Sequence, residues 1–141
     1  MRAVADSNVV ISGLLWRGPS RAVLDAAREA RLELFASPEL LAEVAEVLER
    51  PKFHSRLQQA GVDATELVAG FGSLAARVIP AEKEAVIASD PDDDAVLACA
   101  RAAGAELIIS GDRHLLALKV YRGIKILSPT TAVELLKARQ N

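Results

Sequence analysis

Carboxylates are the residues of this sequence best placed to do chemistry. Of residues 89–94, Asp90, Asp92, Asp93 and Asp94 are acidic, and Asp112 follows a short apolar run further on. Asp6 ends another such run near the start of the chain. Carboxylate oxygens are hard ligands that suit Mg²⁺ or Mn²⁺. An ion held by them lowers the pKa of a bound water, orients it at a phosphate and neutralises developing charge. Phosphodiester hydrolysis at such a site needs no protein nucleophile and no organic cofactor. His54 and His114 are isolated and Cys99 is the single cysteine, so no zinc-ligand spacing competes. The absence of GxGxxG and GxxxxGK[ST] loops argues against a dinucleotide or P-loop site. Helix capping is the rival explanation for every acid near a helix start.

The elements that carry these acids follow from the hydrophobic pattern. Residues 3–5 read as a strand buried on both faces, and Asp6-Ser7-Asn8 breaks the apolar run at its carboxyl end. Residues 9–15 fit a turn or short helix. Gly18-Pro19-Ser20 is a breaker with Ser20 as candidate cap, and residues 21–31 fit an amphipathic helix. A second strand is expected over 32–36, then a helix over 38–48 opened by Ser37-Pro38 and ended by Arg50-Pro51. Short helices over 52–60, stopped by Gly61, and over 63–76, with Asp63 and Glu66 as a capping pair, precede a strand at 77–79. A helix over 91–103 is closed by Gly104 and followed by a strand over 106–110. A helical turn at 112–118, a strand at 123–127 and a last helix from Ser128-Pro129 to about residue 138 finish the chain. Strands separated by helices indicate an α/β fold with a parallel sheet and right-handed crossovers. Such sheets bind ligands beyond the carboxyl ends of their strands, near a topological switch point. Asp6 and Asp112 both lie at or just past such ends, so two distant strands can deliver carboxylates to one cleft.

Helical phase sorts the remaining acids. On the helix over 38–48, Leu40, Leu41, Val44, Val47 and Leu48 form an apolar stripe at about 100° per residue. Glu43 borders that stripe, whereas Glu39, Glu46 and Glu49 point towards solvent. Asp93 stands at i, i+3, i+4 and i+7 with Val96, Leu97 and Ala100, on the apolar face of its own helix. A carboxylate directed into a core is costly unless paired or bound to a cation, although bonds to N–H groups at the helix start would also satisfy it. Asp94 points roughly the other way, Asp90 reads as a cap before Pro91, and Asp92 complements the helix start. The constellation is therefore Asp6, Glu43, Asp93 and Asp112.

The whole chain sets broad limits. Its 141 residues are about one domain's worth, and residues 1–141 read as one unit with no repeat, low-complexity tract or linker. The composition is 51% hydrophobic but only 4% aromatic, so Ala, Val, Leu and Ile must build the core. With 17 basic against 19 acidic residues, the net charge of −2 leaves no global nucleic-acid footprint, and any such contact needs a local basic patch. A lone cysteine excludes an intrachain disulfide and fits a reducing cytoplasm. The start is too short and polar for a signal peptide, and no apolar run approaches a membrane span of ~18 residues.

Four segments together resemble the PIN-domain ribonucleases across nearly the full length: VADSNVVIS, SPELLAEVAEVL with its RPKF sequel, DPDDDAVLACA and LIISGDRHLL. Within that family the chain looks most like toxin components of bacterial and archaeal toxin–antitoxin pairs. The resemblance implies a three-layer α/β/α fold with a parallel, about five-stranded sheet. It also implies a divalent-metal-dependent endoribonuclease specific for single-stranded RNA. Asp6, Glu43, Asp93 and Asp112 match the family's four acids; Asn8 matches a small polar residue two after the first, and Ser110 the hydroxyl before the fourth. Close relatives often carry a further Asp where this chain has His114, a change that either weakens a second metal site or sets a cation near RNA phosphate. A homodimer and an inhibitory antitoxin protein are further implications of the resemblance.

RNA approaching an acidic cleft needs cations at the rim. Arg17, Arg113 and His114 are candidates, with Lys52 and Arg56 beyond them, and Trp16 offers a face for base stacking. Leu14, Leu15 and Trp16 form an apolar loop run that would serve as an interface or as core. Two rival functions share the fold. One is a phosphatase or phosphoacceptor using Asp6 as nucleophile, which in haloacid-dehalogenase-like enzymes would want a second Asp where this chain has Asn8. The other is a non-catalytic module binding RNA or protein.

Overall fold

The structure, a computed structural model, describes residues 1–82 and 91–140. Strand β1 (Arg2–Ala5) lies inside a six-stranded sheet built from these residues. From β1 the chain first works outward on one side. Helices α1 (Ser7–Leu15) and α2 (Pro19–Arg28) lead to β2 (Glu33–Ala36). Helix α3 (Pro38–Leu48), a 3₁₀ turn (Pro51–Phe53), α4 (His54–Ala60) and α5 (Ala64–Leu74) then lead to β3 (Ala76–Arg77). Helix α6 (Pro91–Ala103) precedes β4 (Leu107–Ile109), which pairs on the other side of β1. Helix α7 (Arg113–Leu118), a hairpin of β5 (Val120–Tyr121) and β6 (Ile124–Leu127), and α8 (Pro129–Gln140) follow. The spatial order is β3-β2-β1-β4-β6-β5, and the order reverses between β1 and β4. The crevice beyond the carboxyl ends of those two strands is the switch point.

Successive strand residues face opposite ways, and each face has its own core. Ala3 and Ala5 of β1, Leu34 and Ala36 of β2, and Leu107 and Ile109 of β4 pack against α1, α2, α3, α5 and α8. Val4 and Ile108 face the other way, against Val96, Leu97 and Ala100 of α6 and Leu115 of α7. With both faces covered, the strands read as unbroken apolar runs rather than alternating ones. The expected three-layer α/β/α architecture is present. The sheet differs from expectation at one edge: β5 and β6 pair antiparallel, giving six strands rather than about five. The turn between them, Arg122-Gly123, has φ of 49° and 81°, the left-handed pair that closes a tight hairpin.

Residues 9–15 take the helical one of the two expected forms. They belong to α1, whose N-cap is Asp6: the Asp6 Oδ1 accepts the Val9 N–H at 2.9 Å. Leu14 and Leu15 are therefore helix residues and Leu15 is core, which corrects the reading of a loop run there. Gly13 lets α2 approach closely, since a Cβ there would stand 2.7 Å from the Ser20 carbonyl oxygen and 2.8 Å from the Leu24 Cδ1. The last carbonyls of α1 have charged donors. Arg21 bonds through Nε to the Gly13 oxygen and through Nη2 to the Leu14 oxygen at 3.1 Å, and Arg56 Nε bonds the Leu15 oxygen at 2.6 Å. Such cations satisfy orphan carbonyls and complement the negative helix end. Helix α2 starts at Pro19 with Gly18 as its cap position, not at Ser20. Ser37 caps α3 and Asp63 caps α5, as the sequence signals predict. Among the described residues, no helix is long and apolar enough to cross a membrane.

Candidate active site

The switch-point crevice is where the acids meet. Asp6, Glu43, Asp93 and Asp112 line one cleft of about 180 Å³, together with Ser7, Asn8, Val47, Arg50 and Val96. Each acid arrives on a different element. Asp6 directly follows β1, and its backbone N–H bonds the Ile109 carbonyl of β4 at 3.0 Å, which ties the two strand ends together. Asp112 caps α7 just beyond β4: its Oδ1 accepts the N–H groups of His114 at 2.7 Å and Leu115 at 3.2 Å. Glu43 is half-buried on α3, while Glu39, Glu46 and Glu49 are exposed, in line with their helical phase. Asp93, on the first turn of α6, is only 6% exposed. Its Oδ2 atom is buried and receives no hydrogen bond from the described residues, though Asp93 is engaged through other interactions. Asp94 is buried too, contrary to the expectation that it points away from the apolar face of its helix. The capping reading of Asp90, and the side chain of Asp92, lie outside the described residues.

Ser110 joins two of these acids. Fully buried at 0% exposure, its hydroxyl donates to the Asp6 Oδ2, and its Oγ accepts the Asp112 N–H at 2.9 Å. Both Asp6 oxygens are thereby fixed, one by α1 and one by Ser110. Burial pushes the Asp6 carboxyl above its ordinary range; the bonds from Ser110 and the Val9 N–H pull it back, and the Asp112 charge pushes it up again. The causes that raise it are loss of water and a like charge, and a cation in the cleft relieves both. Capping and site membership are compatible, because Asp112 accepts both cap N–H groups with Oδ1 and still lines the cleft.

The donor set is all carboxylate with hydroxyl and amide oxygens beside it, which fits Mg²⁺ or Mn²⁺ and not zinc. Among the described residues, no three His, Cys, Asp or Glu side chains cluster tightly enough to cage one ion by themselves. That spacing is compatible with Mg²⁺, which is commonly held by one or two carboxylates and keeps water on its remaining positions.

The rim differs from the sequence expectation. Arg17, Arg113 and His114 are exposed but are not among the residues lining the cleft. Arg50, read from the sequence only as part of a helix stop, does line it. It sits just past the end of α3 and pairs with exposed Glu46 at 3.7 Å, a solvated contact worth little. Its signal was positional only: it lies seven residues after Glu43, just beyond the end of the helix that carries that acid. Asn8 lines the cleft and is exposed.

Comparison with curated proteins and with solved structures finds no match for this chain. A family model described as PIN domain matches residues 2–114, a span that holds all four acids and Ser110. PIN domains are in general nucleases and typically use divalent metal ions. With most of its length matched, and with a mostly parallel sheet flanked by helices on both faces, the chain belongs to the PIN-domain family.

Proposed function

We propose that this chain is a divalent-metal-dependent endoribonuclease that hydrolyses phosphodiester bonds in single-stranded RNA, and that it acts as the toxin of a toxin–antitoxin pair. The observation that carries the reading is the convergence of four carboxylates, from four separate elements, on one cleft at the switch point. In this reading Asp6 and Asp93 are the inner acids that hold Mg²⁺ or Mn²⁺. Asp112 and Glu43 complete the donor set directly or through water. When bound, the metal supplies an activated water and neutralises charge on the phosphate. Ser110 and the N-terminus of α1 fix the Asp6 carboxylate, so the donor does not reorient as charge develops. Asn8, exposed at the lip, is positioned to hydrogen-bond the substrate backbone. Arg17, Arg113 and His114 lie farther out, as secondary contacts for a longer strand. A cognate antitoxin, a homodimer and a cytoplasmic setting belong to the same proposal and follow from likeness to the toxin members of the family.

The test is an assay of the purified chain with Mn²⁺ against single-stranded RNA, duplex RNA and a small phosphomonoester. Endonucleolytic cutting of the single strand, abolished by EDTA, is the expected result. Turnover of the phosphomonoester alone would replace this reading with the phosphatase one. RNA binding without turnover under all metals would replace it with a non-catalytic module.

A further inference from the structure

Beyond the cleft, cations and aromatic rings form a ridge that the proposed chemistry does not use. Arg50 lines the cleft and directly precedes the 3₁₀ turn Pro51–Phe53. That turn rises about 6 Å and carries Lys52 and Phe53 to the side of Trp16. The Trp16 and Phe53 rings stand 6.2 Å apart at 57°, so they are tilted rather than stacked on each other. Lys52 Nζ lies 5.1 Å from the Phe53 ring centre, and the Arg56 guanidinium lies 5.9 Å from that of Trp16. Trp16 is 42% exposed, an unusual cost for the one tryptophan in the chain. The Arg56 bond to α1 uses Nε and leaves both Nη groups to other partners.

Charge and shape agree on an occupant. Three cations along one segment match a phosphate backbone, and the exposed Trp16 ring, beside the partly buried Phe53, matches a base that is not paired. A duplex would present its bases only at their edges. The ridge also begins at the cleft through Arg50, and α1 separates Asp6 from Trp16 by about 14 Å, within reach of a few nucleotides. We propose that Arg50, Lys52, Phe53, Arg56 and Trp16 form a track for single-stranded RNA leading away from the acid cleft, with a base stacked on Trp16. This rests on the ribonuclease reading and adds to it where the strand lies and which residues grip it.

Because Trp16 is the sole tryptophan, its emission reads the track directly. The full chain, with Ca²⁺ in place of Mn²⁺, is titrated with a single-stranded oligoadenylate and with an abasic oligonucleotide of equal length. Quenching by the first and not by the second is expected. Trp16→Leu should weaken oligoadenylate binding by about five- to a hundredfold, and Trp16→Phe should restore part of it. Lys52→Ala should lower the salt slope of binding by about 0.7. In Mn²⁺ kinetics, the gain in kcat/KM from dinucleotide to hexanucleotide should vanish in Trp16→Leu. Cleavage by the native chain with unmoved emission and unaltered chain-length dependence would overturn the track alone. Absence of any cleavage would overturn the ribonuclease reading, whatever the emission does. If Trp16→Leu changes sedimentation but not oligonucleotide binding, the ridge is a protein contact and the track is refuted.

Discussion

Replacing Ser110 with Ala removes one oxygen atom from a fully buried position, and its effect can be worked out from the bonds it makes. The hydroxyl donates to a carboxylate, a charge-assisted bond worth about 1.5–3 kcal/mol, and accepts the Asp112 N–H, worth about 1 kcal/mol. The expected loss at neutral pH is therefore about 2–4 kcal/mol, which lowers the urea midpoint by roughly 1–2 M for slopes typical of small proteins. The pH dependence makes the prediction sharper. The folded Asp6 carboxyl is raised above its ordinary range, so the folded state binds this proton more tightly than the unfolded chain does. Its contribution to stability is then fully present below the ordinary carboxylate range and is lost as pH rises through the folded value. Ser110 counteracts that loss by favouring the charged form. Without it the folded value rises further, so the window of lost stability extends to higher pH. The deficit of Ser110→Ala should be small in acid and largest at neutral pH. Urea unfolding of both proteins in EDTA across that range is the assay. A deficit that is equal in acid and at neutrality, or that stays below about 0.5 kcal/mol throughout, would refute the account of Ser110 as the anchor of an ionised Asp6.

Asp93→Asn should abolish Mn²⁺-dependent RNA cleavage while leaving metal-free stability unchanged or raised, because like-charge repulsion in the cleft is relieved; unfolding of the variant with cleavage retained in the folded fraction would instead mark Asp93 as a helix-start residue. Cys99 is buried, and burial outweighs the Ser37 hydrogen bonds to push its thiol up to about 11. It should therefore resist a thiol-specific reagent in mildly alkaline buffer until urea unfolds the chain, and rapid native labelling would contradict the packing described. Gly13→Ala should cost about 1–3 kcal/mol, because its methyl meets the Ser20 backbone and Leu24; thermal unfolding checks it.

Strong local signals made much of this fold readable. Helix α6 has the bounds its glycine stop and apolar phase predict, and Ser37 and Asp63 cap where serine or aspartate precedes a helical pattern. Helix α1 was legible only as one of two alternatives, a turn or a short helix. Ser7, Val9, Val10, Ile11, Gly13 and Leu15 are all buried and only Asn8 is fully exposed, so its solvent face is too narrow to show a 3.6-residue period. Strand β5 is two residues long, and its Arg122-Gly123 turn lacks the usual asparagine or aspartate at the first position. For the site, phase separated Asp93 from Asp92 and singled out Glu43 among four glutamates. It said nothing of Arg50 at the cleft and wrongly turned Asp94 away from the interior, because both depend on how α3 and α6 settle around β1 and β4. The capping and cleft roles of Asp6 were posed as rivals for such acids, yet its two oxygens let it do both.

The bond between Ser110 and Asp6 spans 104 residues of sequence, and that separation has a consequence for when the site exists. A ribosome adds about 5–20 residues per second, so the first acid emerges many seconds before Ser110 and Asp112. Until β4 inserts beside β1, the nascent chain has Asp6 at an open strand end without Ser110 or Asp112 beside it. Such long-range closure is also the slow part of folding. A truncated or stalled chain ending before Ser110 would thus be inert, and the crevice takes shape only once most of the chain has been synthesised.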